Sequence, residues 1–304
     1  MSEEIQRVAF LGADGNLGPA LLRALVANNF YVTVLKRQSS KSADSYPSAV
    51  QVVRVEDGFS VESLVPVLQG QDAVIVSLRG GQESADLQIR LADAAAKAGV
   101  KRFIPADFGS VDSSSPMTQR LVPLYVRKTQ VREHCQRLAR EYASFSWTSL
   151  VCGHFFDWSL EFIHVFVKER RADILDNGDT KFSISTLARI AEATVKILQK
   201  PGETKDQMLY VQSFCVTQKE VIAAFEKATG GEKWKIGQYD SKTFEVQEKA
   251  KADAGDKEAI EELVWLLGTI DANWTKNEGF AMDLLGLKDE DLDTAVKKVV
   301  ASAQ

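Results

Sequence analysis

The sequence predicts an α/β protein: a doubly wound parallel sheet with helices on both faces, followed by a smaller, mainly helical C-terminal lobe. Two observations carry this expectation. Across residues 1–152, short runs that are apolar at nearly every position alternate with stretches of helical spacing. Strands buried on both faces read as such runs, and their alternation with helices marks a parallel sheet covered on each side. The second observation is a glycine-punctuated turn, Gly12, Gly15 and Gly18, directly after the first apolar run.

The elements follow in order. Ile5–Leu11 reads as a buried strand and Leu17–Asn29 as a helix. Tyr31–Leu35, rich in β-branched residues, and Val50–Val55 are the next strands. Val61–Leu68 has helical spacing, Ala73–Ser77 is a strand, and Glu83–Ala98 is a helix ended by Gly99. Lys101–Ile104, a long helix over Leu121–Tyr142 and the strand Phe145–Val151 complete the first domain, residues 1–152. Residues 153–304 form the second, substrate-binding lobe, with an approximate boundary across which the chain can interleave. There, Thr186–Leu198 is amphipathic and Met208–Val211 reads as a strand. Thr217 with Glu220 forms a capping box for a helix to Thr229. Asp240–Leu267 is helix-rich with a break at Ala254-Gly255, and Asp289–Ala301 is a final helix. No linker-like composition separates the halves, so the lobe is expected to share the sheet with the first domain.

Composition narrows the function. With 304 residues the chain can bury a full core without staples, and 45% hydrophobic and 26% charged residues are ordinary for a globular protein. The net charge of −5, with cations and acids interspersed, gives no nucleic-acid footprint. Cys135, Cys152 and Cys215 are far apart and odd in number, which argues against a disulfide framework and against a metal site. The acidic opening Met1–Glu4 is no signal peptide. The apolar stretch Phe155–Val167 carries Asp157, Glu161 and His164 and is too short for a membrane span. A cytoplasmic protein is expected.

In the glycine turn, Gly12 ends the strand, Gly15 lets the backbone approach a bound group, and Gly18 lets the helix pack on the strand. Asn16 is the candidate cap, and Pro19 falls in the first turn, where no N–H is missed. Exposed N–H groups at such a helix start bind a pyrophosphate, so Gly12, Asp14, Gly15, Asn16, Leu17 and Gly18 are candidate cofactor contacts in a Rossmann-type fold. The spacing G-x-x-G-x-x-G also fits a plain strand–helix turn. At the end of the second strand an acid would hold the ribose 2′-OH of NAD. Lys36, Arg37 and Lys41 stand there instead, which suits the 2′-phosphate of NADP. The alternative is a solvated basic loop. Arg37 is the better phosphate candidate, because its planar fork grips phosphate and stacks on adenine; Lys41 is a second.

Ligands in this fold lie beyond the C-terminal ends of strands, which here supply Ser77, the Asp107-Phe108 turn, and His154, Phe155 and Phe156. Short-chain dehydrogenases use Tyr-x-x-x-Lys, whereas this chain has Tyr125-x-x-Lys128, one residue short. Lys128 and Arg132 are four apart and share a helix face. From spacing alone they are either a catalytic pair or part of a solvated basic stripe with Arg120, Arg127, Arg137 and Arg140. His154 is a pocket residue or a structural hydrogen-bonder. Phe155, Phe156, Trp158, Phe162 and Phe166 wall an apolar pocket or serve as core or homodimer contacts.

The segments "GADGNLG", "VLKR", "VKRFIPADFG", "RKTQVREHCQ" and "TLARIAEATVKIL", in this order, resemble the isoflavone reductase-like branch of the atypical short-chain dehydrogenases and the wider NmrA-like family, with a fungal character. The resemblance spans roughly residues 5–230. It implies a Rossmann-type domain binding NADPH and a lobe binding a small aromatic, phenolic or carbonyl substrate, as in phenylcoumaran benzylic ether, pinoresinol–lariciresinol and isoflavone reductases. The family's K-x-x-V/I-R pattern matches Lys128 and Arg132, which implies Lys128 as acid/base and Arg132 at the cofactor. The cofactor arginine maps to Arg37. Ser77, Lys128 and Phe155 would neighbour the nicotinamide, and Asp107, Phe108, His154 and Phe156 the substrate. Where the family has serine and glutamate, this chain has Ala106 and Asp107, so pocket hydrogen bonding departs from the pattern. The same resemblance admits a rival, a non-catalytic NADP-sensing NmrA-like regulator, although such sensors generally lack the lysine.

Overall fold

The computed structural model describes residues 4–302; the opening Met1–Glu3 lies outside them. The chain runs β1 (Arg7–Leu11), α1 (Gly18–Ala27), β2 (Tyr31–Arg37), β3 (Gln51–Val55), α2 (Val61–Leu68), β4 (Ala73–Val76) and α3 (Gln82–Lys97). It continues through β5 (Arg102–Ile104), α4 (Pro116–Leu121), α5 (Pro123–Glu141), β6 (Ser146–Val151), β7 (His154–Phe155), β8 (Val165–Phe166), β9 (Arg171–Leu175) and β10 (Lys181–Ser185). Then come α6 (Leu187–Gln199), α7 (Pro201–Thr204), β11 (Gln207–Tyr210), β12 (Phe214–Thr217), α8 (Gln218–Ala228) and β13 (Lys235–Tyr239). The last elements are α9 (Ser241–Asp253), α10 (Lys257–Ile270), α11 (Met282–Leu285) and α12 (Leu292–Ser302).

Two compact units share this chain. One holds the residues up to Phe108 with Pro123–Leu150 and Ile190–Leu209; the other holds Gly109–Val122, Val151–Arg189 and the residues from Tyr210 onward. The chain therefore leaves and re-enters the first unit rather than dividing once.

The first unit is built on a seven-stranded sheet of order β3-β2-β1-β4-β5-β6-β11. The pairs from β3 through β6 are parallel, with Val8 opposite both Val32 and Ala73. Ala9, Leu11, Val74 and Val76 pack on one face with Leu64 of α2, Leu91 and Ala95 of α3, and Val131 and Leu138 of α5. The alternate residues Val8, Phe10, Val34 and Ile75 are equally buried on the other. Burial on both faces is why these strands read as continuous apolar runs. From β1 the chain builds outward to β2 and β3, then returns to the far side of β1 as β4. That reversal leaves a crevice beyond the ends of β1 and β4.

The second unit is the expected, mainly helical lobe, with sheet added. It contains two three-stranded sheets, β12-β10-β7 and β13-β9-β8, beside α8, α9, α10 and α12. β7 and β8 have two residues each, and β13 (KIGQY) is mostly exposed, so neither shows an apolar run. The expected helix over 121–142 is two helices. Val122 is extended (φ −130°, ψ 104°) because the ring of Pro123 disfavours helical backbone in the residue before it. Thr217 caps α8 through the capping box with Glu220, as the spacing predicts. No helix among the described residues is long and apolar enough to cross a membrane.

Within the second unit α10 packs so closely that a Cβ at Gly268 would lie 2.1 Å from Nε2 and 2.5 Å from Cε1 of the buried His154. Gly268→Ala is therefore expected to destabilise the protein by about 1–3 kcal/mol in urea unfolding. Combined with His154→Ala, it should cost less than the two single changes together.

Candidate active site

The glycine turn is a backbone-on-backbone contact. Gly12 has φ +102°, and a Cβ there would stand 2.0 Å from the carbonyl oxygen of Ser77 at the end of β4. A Cβ on Gly18 would stand 2.3 Å from Gly12 O and 2.4 Å from Ala13 O. The N–H of Gly15 donates to Gly12 O and that of Gly18 to Gly15 O, both at 3.1 Å. The expected capping by Asn16 does not occur: Leu17 takes the cap position, Asn16 is exposed, and no side chain caps α1. The N–H groups of Asn16 and Leu17 have no hydrogen-bond partner among the described residues. Open donors at a helix start favour an anion.

A cleft of about 510 Å³ opens beside this turn, lined by Gly12, Asp14, Gly15, Ser77, Leu78 and Arg79, and at its other end by Arg37, Ser39, Ser40 and Tyr46. Arg37 is exposed, and its guanidinium donates no hydrogen bond among the described residues. Lys41 is exposed and does not line the cleft.

Lys36 and Asp14 hold each other. The Lys36 ammonium is 5% exposed, 3.2 Å from Asp14 Oδ2 and 2.9 Å from Asp44 Oδ1, and it donates to the carbonyls of Ala43 (3.0 Å) and Ser42 (3.3 Å). Asp14 also accepts from the hydroxyls of Tyr46 (2.6 Å) and Ser42 (2.7 Å). Burial alone would lower the Lys36 pKa, but hydrogen bonding to Asp44, Tyr46 and Asp14 outweighs it and pushes the group up. Burial would likewise raise Asp14, yet Tyr46, Ser42 and Lys36 hold it below the usual range. The Asp14 side chain thus serves the loop between β2 and β3, while the residue itself lines the cleft. Tyr46, Asp44 and Arg54 escape a sequence reading because their pairing is made across a loop. A lone tyrosine in a polar stretch was the available signal.

On α5, Lys128 and Arg132 both turn to Asp107. The half-buried Lys128 ammonium donates to the Asp107 carbonyl and lies 5.8 Å from the Tyr125 ring centre. Arg132 Nη1 meets Asp107 Oδ2 at 3.1 Å and reaches Met208 Sδ at 2.8 Å. The hydroxyl of Ser149 also donates to Oδ2, while Oδ1 has no partner. Asp107 is 2% exposed, so its carboxylate is a buried ion-pair partner, which differs from the expected substrate contact. Arg132, expected at the cofactor, is engaged with that carboxylate. Phe108, also expected at the substrate, is 8% exposed with φ +24°. Leu124, one turn before Lys128, presses on Gly80 just after the cleft-lining Arg79: a Cβ there would lie 1.9 Å from Leu124 Cδ1.

The remaining candidates lie in the second unit. Phe156 is fully buried against Phe214 (5.2 Å) and Phe225 (6.1 Å), a core position and not the expected substrate wall. His154 is 3% exposed, 3.4 Å from the carbonyl of Trp265 and edge-on to Phe162. Desolvation pulls its pKa down to about 4, so it is a neutral structural hydrogen-bonder. Phe155 is partly exposed, with its ring 6.4 Å from Trp158.

The profile of the NmrA-like family matches residues 4–272. The chain belongs to the NmrA-like family. The oxidoreductase aprR of Aspergillus flavus is 34% identical over 237 residues, 77% of each chain. The oxidoreductase poxI of Penicillium oxalicum is 28% identical over 299 residues, 95% of this chain and 92% of that one. The isoflavone reductase homolog IRL of Zea mays is 28% identical over 244 residues, 76% of each. Among solved structures, AtPrR2 with NADP+ and (+)pinoresinol superposes with a TM-score of 0.76 at 21% identity, covering 97% of this chain and 99% of that one. The leucoanthocyanidin reductase–NADPH complex from Vitis vinifera does so at 0.78 and 18%, with the same coverage. At such identities the structures speak for the fold. The relatives make this NmrA-like protein an oxidoreductase.

Asp107→Ala would leave Arg132 buried without its carboxylate, and a loss of about 3 kcal/mol is expected in denaturant unfolding of this NmrA-like protein. His154 sets an acid limb. Between the ordinary histidine pKa of 6.5 and about 4 the unfolded chain binds the proton and the folded one does not. Its contribution is therefore complete above 6.5 and falls as pH drops toward 4, by at most about 1.4 kcal/mol per pH unit. His154→Gln should flatten that part of the melting-temperature profile.

Proposed function

We propose that this NmrA-like protein is an NADPH-dependent reductase that passes a hydride to a small aromatic, phenolic or carbonyl substrate. The observation that carries the reading is the pairing of an open glycine turn with Arg37, an exposed cation at the other end of the same cleft. The residues fit the cofactor. Side chains are absent at Gly12, Gly15 and Gly18, where they would obstruct the turn, and the N–H groups of Asn16 and Leu17 suit a pyrophosphate. The Arg37 fork suits a 2′-phosphate and the adenine face. The AtPrR2 structure with NADP+ and the Vitis vinifera reductase–NADPH complex support the same cofactor.

When bound, NADPH supplies the hydride. The chain's own share is orientation and a proton. Ser77, at the end of β4, stands against Gly12 and lines the cleft. Lys128 is the acid/base of the reading: its ammonium, held by the Asp107 carbonyl, gives a proton to the substrate oxygen as the carbon is reduced, directly or through one water.

The test is the fall of NADPH absorbance with a panel of aromatic ketones, quinones and phenolic ethers. Lys128→Ala should lower kcat by about 10²-fold or more while NADPH still binds. Tight binding of NADP+ and NADPH with no turnover on any compound would overturn the reading in favour of an NADP-sensing regulator.

A further inference from the structure

Two adjacent cations end β2, and the structure gives them opposite surroundings. Arg37 points into the cleft, exposed and with no hydrogen bond from its guanidinium among the described residues. Lys36 lines the same cleft, but its ammonium is 5% exposed and turned to the protein's own acceptors. Its three N–H donors face four acceptors, Asp14 Oδ2, Asp44 Oδ1 and the carbonyls of Ser42 and Ala43, all within 3.3 Å. The ring of Tyr46 closes over it, 4.9 Å from the ammonium. No donor is left for a ligand. The loop is also tied at its base, where Arg54 on β3 grips both oxygens of Asp44 (3.2 and 3.0 Å) and the carbonyl of Ser40 (3.1 Å). The N–H of Ser39 donates to Asp57 at 2.9 Å.

We propose that Lys36 is a positioning residue for the coenzyme and not a phosphate ligand: with Asp14, Ser42 and Tyr46 it latches the β2–β3 loop to the glycine turn, leaving selection of the 2′-phosphate to Arg37. The proposal rests on the NADPH reading above. Its physical basis is twofold. Asp14 lies within the turn that receives a pyrophosphate, where an uncompensated carboxylate would repel it; the ammonium beside it cancels that charge. The latch also fixes Ser39, Ser40 and Arg37, which sit on the tethered loop or its hinge and line the cleft. Removing Lys36 therefore weakens every dinucleotide alike, whereas removing Arg37 weakens chiefly the one carrying the extra phosphate.

The full chain is tested by calorimetric titration with NADPH and NADH, and by hydrogen exchange of amides 38–47 in the coenzyme-free protein. Arg37→Ala should weaken NADPH by about tenfold or more relative to NADH, lowering the ratio of their affinities. Lys36→Met should weaken both coenzymes by one factor, keep their ratio, and speed exchange across 38–47. Adding Asp14→Asn should restore part of both affinities. Tyr46→Phe, a gentler change that leaves the ammonium in place, should speed exchange in the same amides. A collapse of the NADPH:NADH ratio in Lys36→Met would make Lys36 a phosphate ligand and overturn the proposal, as would unchanged exchange in both loop variants. Failure of the unmodified protein to bind either coenzyme would instead overturn the NADPH reading, since the exchange measurement needs no coenzyme.

Discussion

Where β1 ends, the backbone leaves no room for a side chain. The carbonyl of Ser77 occupies the place a Cβ on Gly12 would take, and the carbonyls of Gly12 and Ala13 occupy that of Gly18. This crowding follows from the strand order, because the return from β3 to β4 sets β4 directly beside β1. The glycines that make the crossing possible also leave a concave run of backbone at the start of α1. Leu17 at the cap position adds to this: a side-chain cap would contribute about 1 kcal/mol to the helix, but it would occupy a donor. The fold forgoes that stability and keeps the N–H groups open. A strand–helix turn and a run of open donors are here one object.

The next constraint is the two-residue period of a strand. Lys36 and Arg37 are neighbours in β2, so their side chains leave on opposite faces. Both line the cleft, but the Lys36 ammonium is held in a cage of carbonyls and carboxylates while Arg37 stays exposed. A buried cation is costly unless paired and hydrogen-bonded, and the acids Asp14 and Asp44 meet that condition only by pulling the loop and the turn together. Loop order is thus a consequence of satisfying Lys36. Two adjacent positive residues have different surroundings because of the pleat, not because of their chemistry.

The first unit was largely legible because its strands are buried on both faces and its helices show one apolar stripe. The glycine spacing and the cation after β2 were legible for the same reason: each is a local pattern. What escaped was non-local. The break at Val122 had a local signal in Pro123, but that α4 and α5 belong to different compact units had none. The strands of the second unit are short or solvent-facing, although the alternation in β10, with Phe182 and Ile184 buried, was a usable signal. Asp107 looked like a pocket residue because it ends a strand. Only the fold brings Arg132 and Ser149 to its carboxylate, and only packing reveals that Phe156 lies between Phe214 and Phe225.

The pair on α5 shows how one loop residue serves two partners. Helical spacing brings Lys128 and Arg132 to the same side, and Asp107 meets them with different atoms: its carbonyl takes the ammonium and its carboxylate takes the guanidinium. The distinction matters chemically. A carboxylate stabilises an ammonium and resists its deprotonation, whereas a neutral carbonyl orients it with a weaker preference for the charged form. By holding Oδ2, Arg132 and Ser149 keep the stronger partner occupied. The carboxylate side chain, one methylene shorter than glutamate, stays buried under α5, with Oδ1 as a leftover acceptor. Arg132 thus fixes the loop whose carbonyl receives the Lys128 ammonium, and it engages the carboxylate oxygen that would otherwise face that lysine.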